Sequence, residues 1–132
     1  MKVLLDTNIC IYIIKQKPPQ ALQKFLTFAV GDVGVSAVTT SELMYGAQKS
    51  QRPHQNQQAI EQFLLPLVVV AFDFEASTVY GGIRAELERQ GTPIGAMDLL
   101  IAAHALHLGI PLVTNNTKEF SRVPGLSMEN WA

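Results

Sequence analysis

With a single cysteine, Cys10, in 132 residues, the chain can form no intramolecular disulfide and offers no cysteine cluster for a structural zinc. Its stability has to come from a packed core, and the cytoplasm is the expected compartment. Charge is also scarce. Charged residues make up 16% of the sequence, and 10 basic against 11 acidic residues leave a formal net charge of −1. That excludes a global positive field that would gather nucleic acid non-specifically, though it leaves room for a local one from Lys15, Lys17, Lys24, Lys49, Arg52, Lys118 and Arg122. Long apolar runs are missing too: residues 64–72 are interrupted by Pro66 and are too short to cross a bilayer, so no membrane partner is expected. The opening Met1-Lys2-Val3-Leu4-Leu5-Asp6 goes straight into a strand-like pattern, without the longer apolar segment and cleavage site of a secretory signal. Repeats, low-complexity tracts and linkers are absent, which predicts one domain over residues 1–132.

What the chain does have is 48% hydrophobic residues arranged in alternating strand and helix patterns. Apolar residues 2–5 predict a buried strand ending at Asp6, after which Thr7 or Asn8 can cap a helix that Pro18-Pro19 stops. Leu22, Phe25, Leu26 and Ala29 predict a second helix, and residues 33–38 a second strand. Thr39 or Thr40 is then a plausible cap, with Glu42 in the first turn of a helix running to about Lys49. Pro53 suits the first position of another helix, terminated by Pro66. The β-branched run 67–71 has no polar alternation, which predicts a strand covered on both faces. Asp73-Phe74 opens a long helix with Ala76, Val79, Tyr80, Ile83 and Leu87 at core spacing. Residues 110–113 and a stretch near 126–128 complete the strands. Strands alternating with helices imply a parallel sheet with helices on both faces, and such folds place ligands beyond the C-terminal ends of the strands.

The residue that stands out is Asp98, a lone carboxylate in the apolar helical run of residues 96–106. Apolar side chains lie on every face of that helix, which marks it as buried nearly all round. A buried carboxylate is costly unless it is hydrogen-bonded, paired or bound to a metal. Asp98 is therefore either a helix cap after Gly95 or a metal ligand with partners elsewhere. Asp6, Glu42 and Asn116 each sit just after a predicted strand, on the rim that Asp98 would also face, although Glu42 also reads as part of a capping box. Carboxylates without cysteine or histidine favour a hard cation such as Mg²⁺ or Mn²⁺, the usual partner for phosphate-ester chemistry. Asp6, Glu42 and Asp98 carry three negative charges, and without a cation one of them would tend to protonate.

Leu5-Asp6-Thr7-Asn8, Ser41-Glu42-Leu43, Asp98 in its helix, and Val113-Thr114-Asn115-Asn116 with Glu119-Phe120 behind it resemble, in order and spacing, the PIN-domain ribonucleases, specifically the VapC-like toxins of toxin–antitoxin pairs. The resemblance implies an α/β fold, a three-layer α/β/α sandwich around a mostly parallel sheet of four to five strands. It makes Asp6, Glu42 and Asp98 the metal-binding acids and Thr114 the polar residue closing the fourth strand. Asn116 stands where many members carry a fourth acid, and its amide brings no charge; Glu119 is the candidate to supply it. The resemblance further implies an Mg²⁺ or Mn²⁺ cofactor, an RNA substrate such as tRNA, and hydrolysis to a 5′-phosphate and a 3′-hydroxyl. It also implies a VapB-like antitoxin whose arm crosses the active-site groove and reaches an Arg into the carboxylates. The groove is expected between Ile9, Tyr12 and Ile13 on one helix and residues 43–45 on another. So low a charge content also points to apolar surface hidden in a homodimer.

Two other readings remain open at this stage. A binding module that keeps the fold without turnover is favoured by Asn116. A small-molecule phosphatase is disfavoured because Asn8 stands where a second aspartate is needed. His104 and His107 lack a third nitrogen or sulfur ligand and read as packing and surface residues, and Ser41 has neither a nucleophile elbow nor a base.

Overall fold

The computed structural model describes all residues from Met1 to Ala132. Five strands form one sheet: β1 (Val3–Leu5), β2 (Val33–Ser36), β3 (Val68–Val70), β4 (Leu112–Val113) and β5 (Met128–Glu129). Their order across the sheet is β3-β2-β1-β4-β5 and every pairing is parallel. Seven helices connect them: α1 (Thr7–Lys15), α2 (Pro19–Phe25), α3 (Ala37–Gln48), α4 (Pro53–Leu64), α5 (Phe74–Arg89), α6 (Ala96–Leu108) and α7 (Thr117–Phe120).

Strand alternation divides the core into two. Val3, Leu5 and Val113 face one side and join Ile9, Ile13, Leu43, Ala47 and Ile60 from α1, α3 and α4. Leu4 and Leu112 face the other and join Leu87, Leu99, Ile101, Ala102, Ala105 and Phe120 from α5, α6 and α7. The expected α/β/α sandwich is the observed one, with all five strands parallel. The α6 expectation holds for the middle of the helix, where Leu99 and Ile101 through Ala105 are buried, but not for its first turn, where Ala96 and Met97 are exposed and Asp98 is half-buried. Its alanines permit close approach to the sheet and to α5.

The sequence reading needs correction at four places. β2 stops at Ser36 and α3 starts at Ala37, because Ser36 Oγ accepts the Val38 N–H at 3.1 Å and takes the capping role expected of Thr39 or Thr40. Glu42 consequently lies in the second turn of α3, outside any capping box. β3 is an edge strand, with Val68 and Val69 38% and 48% exposed, although its β-branched run reads as central. α2 ends at Phe25, and Leu26 beyond it is largely exposed instead of packed. α1 is capped by Asp6, not by Thr7 or Asn8.

Candidate active site

Four acidic residues meet at the C-terminal rim of the sheet. Asp6 is 4% exposed, at the junction of β1 and α1. Its backbone N–H donates to Val113 O at 2.9 Å, and its Oδ1 accepts the Ile9 N–H at 2.9 Å. One oxygen thus caps α1, while the rest of the carboxylate carries its charge in a buried position. Burial raises the Asp6 pKa, Glu42 raises it further, and hydrogen bonds from the Thr114 side chain and the backbone of Ile9 and Asn8 oppose them. Thr114, fully buried after β4, also accepts the Asn116 N–H at 3.0 Å. Its hydroxyl is therefore spent on holding Asp6 and the following turn.

Asp98 lies in the first turn of α6, where Gly95 occupies the cap position and offers no side-chain acceptor. The capping reading of Asp98 is thereby set aside. Glu119 supplies the missing acceptor from α7: its Oε1 takes the Gly95 N–H at 2.9 Å and its Oε2 takes Asn116 Nδ2 at 2.7 Å. A Cβ placed on Gly95 would stand 3.7 Å from Glu119 Oε1 and 3.9 Å from Asp98 Oδ2, so both carboxylates border the same small space. Burial, followed by the charges of Glu119, Asp6 and Glu42, pushes the Asp98 pKa up to about 6. The charges of Glu119, Asp6 and Glu42 are thus all near enough to act on Asp98.

Glu42 approaches from α3, and Thr7 Oγ1 donates to its Oε1 at 2.5 Å while lying 3.4 Å from the Thr39 hydroxyl. The Thr7 contact was not read from the sequence, where Thr7 served only as a possible cap. Glu119 moves in the opposite direction, from a secondary candidate to a central one. Asn116 contributes through Glu119: a carboxylate can only accept, so the asparagine amide nitrogen must face it.

None of the four carboxylates has a cationic partner. The ion pairs of the molecule are Lys2–Asp32, Arg84–Glu88, Arg89–Glu86 and His107–Asp73, all between other residues. Crowded acids without a cation are what a divalent ion would relieve. No three of the acidic, histidine or cysteine side chains close on one point; Thr7 holds Glu42, and both oxygens of Glu119 are engaged. All-oxygen donors would suit a hard cation that keeps several waters, as Mg²⁺ does, and Asp6, Asp98 and Glu42 are the residues that could hold it, directly or through water.

Beside the acids, α1, α3 and α4 enclose a groove lined by Ile11, Ile14, Leu43, Gly46, Ala59 and Ile60, with Glu42 on its wall. The expected lining by Ile9 and Ile13 is wrong, because the helical period turns both into the core, 0% and 4% exposed. Tyr12 faces elsewhere, its hydroxyl accepting Asn115 Nδ2 at 2.8 Å. On the far flank Arg122 Nη1 donates to Pro93 O at 2.9 Å, close to the start of α6.

Comparison with known proteins places this geometry among others. The PIN domain family model matches residues 3–126. A Shigella flexneri protein named tRNA(fMet)-specific endonuclease VapC is 48% identical over 132 residues, covering all of this chain and 99% of its own. A Salmonella typhimurium protein of the same name is 44% identical, covering 99% and 98%. Among solved structures, DNA-bound VapBC from Salmonella typhimurium superimposes with a TM-score of 0.95 at 43% identity, covering 100% and 99% of the two chains. VapBC2 from Rickettsia felis bound to a promoter DNA fragment gives 0.93 at 40%, covering both chains completely.

Proposed function

The chain belongs to the PIN domain family, among its VapC-type ribonucleases, and from that membership we propose a cytoplasmic, divalent-metal-dependent endoribonuclease toxin. Its proposed substrate is a structured RNA such as tRNA, and its proposed regulator a small VapB-like antitoxin. The observation that carries the reading is the set of four acids, Asp6, Glu42, Asp98 and Glu119, which bear on one another and lack any cationic partner.

A divalent ion bound there, Mg²⁺ or Mn²⁺, would supply positive charge at the scissile phosphate and acidify a water for in-line attack. The chain's own residues do the rest. Asp6, buried, and Asp98, half-buried, present their carboxylates from rigid element ends, one at a strand-to-helix junction and one in the first turn of α6. Thr7 fixes the Glu42 carboxylate, Thr114 fixes Asp6, and Asn116 with the Gly95 N–H fixes Glu119. Thr114 and Asn116 accordingly act by orienting acids rather than by touching substrate. Arg122, held on the flank by Pro93 O, supports a phosphate contact for the incoming backbone. The apolar groove beside Glu42 supports an antitoxin arm whose apolar face fills it while a cation reaches the acids.

The test is incubation of the antitoxin-free chain with bulk tRNA and Mg²⁺. Discrete fragments bearing 5′-phosphate and 3′-hydroxyl ends are expected, and the cognate antitoxin should abolish them. Intact RNA, or fragments ending in 2′,3′-cyclic phosphate, would contradict the proposal.

A further inference from the structure

His104 is a buried titratable group that the site above does not use. It sits in the middle of α6, 1% exposed, with Nδ1 2.7 Å from Ser36 Oγ. Ser36 is itself fully buried and caps α3 by accepting the Val38 N–H. Ser36 Oγ has a second lone pair besides the one that accepts from Val38, so the bond forms with either ring tautomer, Ser36 donating to a bare Nδ1 or accepting from Nδ1–H. The backbone of Ala71, just past β3, lies against the ring. Phe72 covers the ring edge-on at 5.3 Å between centroids. Burial, which lowers the His104 pKa, agrees with a neutral ring.

One imidazole thus joins three elements: α6, the start of α3, and the chain leaving β3. The two helices it joins each carry an acid of the site at the same remove. Asp98 precedes His104 by six residues on α6, and Glu42 follows Ser36 by six residues on the α3 side. Six helical residues span about 9 Å, so each helix is a short, stiff lever between the joint and its carboxylate. A slip at the joint is passed on to the acids almost undiminished. Resting on the reading of the acids as a metal-dependent site, we propose that His104 is a positioning residue: its bond to Ser36 locks α3 against α6 and so sets the separation of Glu42 from Asp98.

Five purified chains test this: wild type, His104→Leu, His104→Asn, Ser36→Ala and the His104→Leu/Ser36→Ala double variant, each read by Mn²⁺-induced rise in Tm and by steady-state kcat and KM on tRNA. Leucine fills the space without a hydrogen bond, whereas the asparagine amide can bond Ser36 Oγ through its oxygen or its nitrogen. His104→Leu and Ser36→Ala are expected to lose at least half of the Mn²⁺-induced rise and about tenfold in kcat, with KM unchanged. Combining them should cost no more than Ser36→Ala alone, which already removes the His104 bond together with the Val38 cap. His104→Asn should return kcat to within about threefold of wild type. If His104→Leu merely melts earlier while its Mn²⁺ response and kcat stay at wild-type values, the joint is structural only and the inference is overturned. A wild-type chain with neither Mn²⁺ response nor cleavage overturns the metal-dependent reading itself, and the joint's role with it.

Discussion

Asp98→Asn is expected to abolish RNA cleavage while making the metal-free protein more stable. The loss should be about a thousandfold or more, equivalent to about 4 kcal/mol of barrier. The stability change has the opposite sign to an ordinary active-site lesion. Burial and the neighbouring acids hold the Asp98 pKa at about 6, above its value in the unfolded chain. Its ionised form therefore costs folding stability above about pH 6, and the cost disappears as pH falls and the folded protein takes up the proton. Asparagine removes the charge at every pH. A gain in Tm on the order of 2–4 °C is expected at pH 7.5 without metal, kept small by solvent screening at this half-buried position. At pH 4.5 the gain should shrink towards zero. Asp6→Asn should also silence cleavage without unfolding α1, since asparagine caps a helix nearly as well as aspartate, whereas Asp6→Ala forfeits the Ile9 bond and about 1 kcal/mol. Paired melting curves and cleavage assays at the two pH values check all of this, and cleavage retained in both asparagine variants would remove the acids from the mechanism.

Glu119 carries the second large effect. Glu119→Ala removes the acceptor for the uncapped start of α6 and the partner of Asn116, so Asp98 loses both the repulsion that lifts its pKa and the frame that holds its turn. Two hydrogen bonds to a carboxylate and the helix-end interaction together suggest about 2 kcal/mol of lost stability. Cleavage should fall by about a hundredfold. Glu119→Gln separates geometry from charge. Its oxygen can accept the Gly95 N–H, and its amide can bond Asn116 once that side chain flips to present its own oxygen. The glutamine variant is expected to melt near wild type but to bind Mn²⁺ more weakly. Alanine and glutamine variants that both match wild type in Tm and cleavage would return Glu119 to the surface.

Much of this could be read in the chain because the strongest signals are local. A lone carboxylate in the alanine-rich apolar run of α6, an aspartate directly after a buried strand, and Pro53 at a helix start each have one dominant physical explanation. The misreadings occurred where the outcome depends on what a segment packs against. Val68 to Val70 have the composition of a central strand, but order across the sheet is a tertiary property, and β3 falls at the edge. Ser36 and Thr39 are both good caps by type, and the choice between them was made by where β2 stops pairing with β3. Glu119 reads as a surface residue on a one-turn helix until the fold brings α7 against Gly95, 24 residues away in sequence. The His104–Ser36 bond, across 68 residues, has no sequence signature at all.

The central claim is that the acids at the strand ends exist to hold a divalent cation, and ligand linkage tests it directly. Thermal melts of the antitoxin-free wild-type chain with increasing Mn²⁺ should show Tm climbing with concentration, since metal at a hundred times its Kd adds about 2.7 kcal/mol. Asp6→Asn and Asp98→Asn, stable but missing a ligand, should show little or none of that rise. A wild-type Tm unmoved at millimolar Mn²⁺, with RNA cleaved equally well in EDTA, would contradict the account.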